Sequence, residues 1–325
     1  MEQILGRIKG GDIMASFSSL SRGIGCNRKF LLSKHFRRYA PKSEALAFGS
    51  CYHDSIEHGI EHALGMLDEA GIATEKNKKL LLEMSLRIER LMIEKGITLE
   101  ENEVEFVMDI EGCTEQFKGY IDGIGTYNGK TWLLEFKTAA NIDASFVSID
   151  GQITSYLYAC RELGIAEPEG VLYIINRKRL EKEPKVNKDG SLSVAKGQGC
   201  TFDAYENLAI EIYGEDIPDK ILSYMDWLYE NQSPNIVCIP VKRTDKDLDN
   251  FGKLMVEMIK KEEEMNNRYA GKGITQSLKE AHCMPSSYGC RMCEYSKACI
   301  ELFNNENYSD EDLNEDFFIE TLESE

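Results

Sequence analysis

The chain has 325 residues, 42% of them hydrophobic, and a formal net charge of −18. That length can bury a full core, as one large domain or two intimate ones. No apolar run is long enough to span a membrane and no signal peptide is recognisable, so a cytoplasmic chain is expected, whose ten cysteines stay out of disulfides.

In chain order, residues 1–42 read as a helix and loop. Residues 44–68 read as a helix carrying His53. Residues 75–95 form a second helix, with Leu80, Met84, Ile88 and Leu91 at helical spacing. Glu101–Ile110 is a strand and a hairpin follows. Asp150–Leu163 is a helix and Gly170–Arg177 a buried strand. Residues 178–200, polar and rich in glycine and lysine, are expected to be a mobile loop. Residues 204–231 and 245–267 read as long helices, the second opened by capping residues at Thr244-Asp-Lys-Asp. Residues 304–325 hold nine acidic residues and no basic one, which predicts a disordered tail. Hairpins mixed with crossover helices indicate an α/β or α+β sheet with helical additions.

The hairpin spans Gly119–Thr138. Asn128-Gly129 suits a two-residue type I′ turn, so paired positions sum to 257 and Asp122 faces Glu135. Facing carboxylates repel in a sheet unless a cation sits between them. Lys137 shares the face of Glu135, while Trp132, Leu134 and Phe136 point into a core. Paired carboxylates are hard ligands for Mg²⁺ or Mn²⁺. Such an ion polarises a phosphate oxygen and activates water, and a lysine can orient that water or offset developing charge. The set suits phosphodiester hydrolysis; the bland alternative is an exposed hairpin face with scattered charges.

Asp122 followed by Glu135-Phe136-Lys137 resembles the D…(D/E)xK core of the PD-(D/E)XK nuclease superfamily, with Ile121 in place of its proline. Phe48-Gly49-Ser50-Cys51-Tyr52-His53 and Gln152-Ile-Thr-Ser-Tyr156 resemble the Gly…His and QxxxY motifs of its RecB-like branch. The resemblance implies a restriction-endonuclease-like mixed sheet flanked by helices. It implies a metal held by His53, Asp122, Glu135 and the Phe136 carbonyl. Lys137 is then catalytic, with Gln152 and Tyr156, one helical turn apart, holding the lysine or a phosphate. A lone histidine or QxxxY is otherwise an ordinary helix residue, and the order of the motifs carries the weight.

Cys290, Cys293 and Cys299 form a CxxC with a third cysteine six residues on, a metal or cluster signature. The fourth ligand is either Cys283, closing a local zinc knuckle, or Cys26, from the other end of the chain. With Cys26, in the segment Ser16-Phe-Ser-Ser-Leu…Cys26-Asn-Arg-Lys-Phe30, the spacing resembles the iron–sulfur nucleases, including AddB-type subunits and CRISPR-associated RecB-like exonucleases. That resemblance implies a structural 4Fe–4S cluster on Cys26, Cys290, Cys293 and Cys299.

Residues 1–42 carry nine Lys and Arg against two acids. Arg22, Arg28, Lys29, Lys34, Arg37 and Arg38 surround Cys26 and are expected either to contact DNA phosphates or to form a solvated helix face. The expected organisation is a basic segment (1–43), a nuclease core (44–203), a helical region (204–280), a cysteine region (281–303) and the acidic tail, which either docks a replication or recombination partner or only solubilises. The expected activity is that of a Mg²⁺- or Mn²⁺-dependent deoxyribonuclease acting on single strands or ends, in a bacterial or virus-infected cell. The competing expectation is a non-catalytic DNA-binding subunit of a recombination or CRISPR-type complex.

Overall fold

The computed structural model describes residues 14–35, 43–232, 234–283, 285–291 and 293–317. In chain order they form β1 (Met14–Ala15), α1 (Phe17–Gly25), α2 (Asn27–His35), α3 (Glu44–Glu57), α4 (Ile60–Glu69), α5 (Glu75–Lys95), β2 (Thr98–Met108), β3 (Gln116–Tyr127), β4 (Lys130–Ala139), a 3-10 turn (Val147–Ile149), α6 (Gly151–Leu163), β5 (Val171–Arg177), α7 (Phe202–Tyr213), α8 (Asp219–Asn231), β6 (Ile236–Val241), α9 (Asp245–Tyr269), α10 (Ile274–Glu280), α11 (Ser287–Arg291), α12 (Ser296–Asn304) and α13 (Asp310–Phe317). Among the described residues no helix is long and apolar enough to cross a membrane.

The six strands make one mixed sheet in the order β1-β3-β4-β5-β6, with β2 also paired to β3. β3 is antiparallel to β2 and β4, β4 is parallel to β5, and β5 is antiparallel to β6. Phe117 pairs with Met108 of β2 and Ala15 of β1, while Gly123 pairs with Asn102 of β2 and Leu134 of β4. β1 and β4 therefore share one edge of β3, and among the described residues the stretch Lys118–Asp122 between them has no strand partner on that side.

Side chains of alternating parity enter two cores. Trp132, Leu134 and Phe136 pack with Leu172, Ile174 and the buried faces of α3 and α5. Leu133, Val171, Tyr173 and Ile175 pack with α6 and α9 on the other side. Phe30, Leu31 and Leu32 of α2 instead join Leu278, Tyr295, Ala298, Tyr308 and Leu313, so a third core ties residues 27–35 to the C-terminal helices.

Several expectations change. The helix over 44–68 is two, α3 and α4, broken at Gly59 with φ 89°. The helix over 204–231 breaks into α7 and α8 around Gly214 and Pro218. The sheet also takes β1 and β6 from outside the expected 44–203 core. Residues 178–200 are not free: Leu192 and Gln198 are buried, and Gln198 Nε2 donates to Ser193 O (2.8 Å) and Tyr224 Oη (3.0 Å).

The acidic segment is not disordered through residue 317. Asp310 accepts the free N–H groups of Ile274 (3.2 Å) and Thr275 (2.7 Å) at the start of α10, and Leu313 is buried. A carboxylate there satisfies orphan donors and complements the helix dipole. Phe318 and Ile319 lie outside the described residues.

Candidate active site

The Asn128-Gly129 turn has φ values of 53° and 71°, the left-handed pair that a type I′ hairpin requires. Pairing runs from Tyr127↔Lys130 to Gly123↔Leu134, so the expected sum of 257 holds. The one irregularity along β3 falls on its partner β2, between Leu99 and Glu101, and leaves this register intact.

The ladder stops one residue short of Asp122 and Glu135. In place of a main-chain pair, the Asp122 carboxylate accepts the Phe136 N–H at 2.8 Å. The two strands part here as β4 continues alongside β5. The carboxylates thus meet at the fork between strands rather than across a closed ladder.

Around this fork the expected residues come together. Lys137 Nζ forms an ion pair with Glu135 Oε1 and lies 3.3 Å from Gln152 Oε1. Gln152 Nε2 donates to Tyr156 Oη at 2.6 Å. His53 Nδ1 lies 3.6 Å from Asp122 Oδ2, and the ring also bonds the Phe136 main chain. Phe136 thus offers both an amide and a carbonyl to the site.

Supporting contacts were not legible in sequence. Asn176 of β5 donates to Tyr52 Oη (3.1 Å) and Met84 O (2.8 Å), which fixes α3 against α5 and the sheet one residue from His53. Asp150 caps α6 through Gln152 N (2.7 Å), and Arg243 holds the same turn through Asp150 O and Thr154. Gly151 is required by close packing: a Cβ there would sit 2.4 Å from Phe17 Cζ. Glu103, at φ 43° on β2, adds negative charge near Asp122 and His53.

Burial dominates the electrostatics. Glu135 is fully inaccessible and, the Lys137 ion pair apart, neither of its oxygens has a hydrogen-bond partner. Burial, then the charge of Asp122, holds Glu135 above the ordinary carboxylate range. Burial also raises Asp122, against the opposing pull of Lys137 and the Phe136 amide. His53 is lowered, by burial first and Lys137 second, which favours a neutral ligand ring. For Lys137, burial opposes the charged form, but Glu135 and Asp122 outweigh it and the amine is raised.

These directions predict a pH dependence. Between the ordinary carboxylate pKa of about 4 and the raised folded values, the native state binds more protons than the unfolded chain, so metal-free stability falls as pH rises through that window. In EDTA, Asp122→Asn should melt above wild type at pH 8, with the gap narrowing at pH 5. Calorimetry at both pH values checks this; a variant that melts lower at pH 8 would overturn it.

Two cavities flank the fork. One, about 750 Å³, is lined by Ser16, Lys118, Tyr120, Asp122 and Gln152. The other, about 650 Å³, is lined by His53, Asp54, Glu57, Glu103 and Lys137. Neighbours that had no assigned role behave as surface groups: His58 pairs with Glu57 at 3.6 Å and His62 with Asp54 at 2.7 Å.

A family model of the PD-(D/E)XK nuclease superfamily matches residues 14–300. The chain belongs to the PD-(D/E)XK nuclease superfamily. Its sheet and flanking helices are the restriction-endonuclease-like architecture of that superfamily. Among solved structures, a candidate exonuclease from Eubacterium rectale is 17% identical, with 88% of this chain and 87% of that one covered and a TM-score of 0.44. The protein SSO0001 is 13% identical, with 84% and 93% covered and a TM-score of 0.30. No curated protein matches the chain.

The donor set of this nuclease-superfamily site suits Mg²⁺ or Mn²⁺: two carboxylates, a carbonyl and a neutral imidazole. Glu135 Oε2 is the structural sign: Oε1 is taken by the Lys137 ammonium, while Oε2 is buried without a donor, a costly state that a second cation would relieve. Among the described residues no three His, Cys, Asp or Glu side chains already form a coordination shell. At the fork the Lys137 ammonium sits against Glu135 instead.

Cys51, Cys160 and Cys200 are buried in the cores, and Cys113 and Cys238 are part-buried. Cys26, Cys283, Cys290, Cys293 and Cys299 all line one apolar cavity of about 700 Å³ between α1–α2 and α11–α12. Of the expected basic patch, Arg28 is buried: its Nε donates to Leu278 O at 2.8 Å and its guanidinium stacks 4.8 Å over Phe303, which takes it out of reach of a phosphate. Lys29 is part-exposed and pairs with Glu294 at 3.5 Å on the rim of the cysteine cavity. The side chains of Arg22 and Lys34, and residues Arg37 and Arg38, lie outside the described residues.

Proposed function

We propose that the protein is a metal-dependent deoxyribonuclease acting on single strands or DNA ends. The observation that carries this reading is the fork itself: Asp122, Glu135, Lys137, His53 and Gln152 converge between two open cavities. A divalent ion held by Asp122, Glu135, His53 and the Phe136 carbonyl would supply Lewis-acid polarisation of the phosphate and activation of the attacking water. Lys137 orients that water or offsets charge on the phosphate. Gln152, braced by Tyr156, holds the lysine on the substrate side of Glu135. End-labelled single- and double-stranded DNA, with and without blocked ends, tests the reading under Mg²⁺ and Mn²⁺. Cleavage that requires a free end or a single strand is expected. A protein that binds these DNAs but cuts none, with either metal, would overturn the assignment and favour a non-catalytic assembly subunit.

For the cysteine cavity the proposed occupant is a structural 4Fe–4S cluster on Cys26, Cys290, Cys293 and Cys299. Two features support it. Cys26 shares the cavity with the CxxC group despite its distance in sequence. The buried Arg28 guanidinium hydrogen-bonds the Cys299 sulfur, which places a cationic donor where anionic sulfur would need one. Cys283 lines the same cavity, so a zinc site on Cys283 and the C-terminal three is the competing occupancy.

A further inference from the structure

We infer that Tyr120 is a nucleobase-stacking platform that selects an unstacked single strand at the catalytic fork; the inference rests on the nuclease reading above. Lys118, Tyr120 and Asp122 alternate along the unpaired edge of β3 and all line the 750 Å³ cavity. Tyr120 is 46% exposed, two residues from the half-buried Asp122 carboxylate. The ring lies outside the buried cores and lines a cavity that also presents Phe17, Phe117, Lys118 and Gln152.

The ring is also held in place. Its hydroxyl lies 3.4 Å from Glu105 Oε1, across the β2–β3 pair. Lys118, itself ion-paired to Glu105, places its ammonium 4.8 Å from the ring centroid. An aromatic surface fixed at edge and face loses little freedom when a base stacks on it.

Ring access and charge name the ligand class. A base can lie on the Tyr120 ring only where its own stack is broken, as in a single strand or a frayed end. With a net charge of −18, the chain has little capacity for binding by phosphate neutralisation alone. Base–aromatic stacking needs no net charge and tolerates any sequence.

The test uses the full chain with fluorescein-labelled oligo-dT, in Ca²⁺ for anisotropy and in Mg²⁺ for single-turnover cleavage. Tyr120→Ala should weaken binding roughly ten-fold, while Tyr120→Phe, which keeps the ring, should match wild type. A single abasic residue moved along the oligonucleotide should slow wild-type cleavage at one position and make no difference to Tyr120→Ala. Equal binding by Tyr120→Ala and wild type, or indifference of wild type to every abasic position, would overturn the inference. If wild type cuts nothing, the nuclease reading fails separately. Quenching of 2-aminopurine in the bound oligonucleotide then decides: quenching lost in Tyr120→Ala and kept in Tyr120→Phe upholds the platform, and unchanged quenching removes it.

Discussion

Asp122→Ala and Lys137→Ala proteins should each lose at least about 10²–10³-fold in the rate of cleavage of end-labelled DNA, while remaining folded by circular dichroism. Asp122 is placed to serve the metal and already orders the fork through the Phe136 amide. Lys137 is the only cation in the described part of the fork, between Glu135 and Gln152. The two losses should differ in kind. Without Asp122, Mn²⁺ binding itself should weaken, seen by titration calorimetry. Without Lys137, the metal should still bind, because the ammonium that competes for Glu135 has gone. Mn²⁺-dependent cleavage persisting in both variants would remove these residues from the chemistry.

The second large effect is expected at the cysteine cavity. Anaerobically purified wild type should be brown, with absorbance near about 400 nm, and Cys26→Ser should lose that colour. A cross-link closing most of the chain is worth on the order of 4–5 kcal/mol, so the melting temperature should fall by roughly 10 °C. Cys283→Ser should keep both colour and stability if Cys26 is the fourth ligand. A colourless wild type with stoichiometric zinc, lost in Cys283→Ser and retained in Cys26→Ser, would replace the cluster with a zinc knuckle.

Much of the fork was readable because its determinants are local. Asn128-Gly129 sets the turn, the turn sets the register, and strand parity then places Glu135, Lys137 and the apolar layer. The unread parts depend on partners far along the chain. β1 is two residues long and exists through its pairing with Gln116 and Phe117. β6 contains Pro240 and tolerates it as an edge strand, paired only to β5. Arg28 looks like a phosphate ligand by composition, yet Leu278 and Phe303, some 250 residues on, decide its burial. Residues 310–317 look like a solvated acidic run until the bare N-terminus of α10 gives Asp310 two donors.

The third core has a consequence for the order in which the enzyme comes into being. Residues 14–18 wall the cavity beside Asp122, but the segment that follows them is anchored by residues 274–313. On the ribosome, β2 through β5 can assemble while that anchor is still unmade. The wall itself pairs with β3 at Gln116 and Phe117, and Ala15 and Leu20 sit in the core shared with α9, so it can dock once α9 is made; α2 is secured last, when residues 274–313 follow. A nascent chain therefore carries its paired carboxylates before α2 and the cysteine cavity beside it have taken their place.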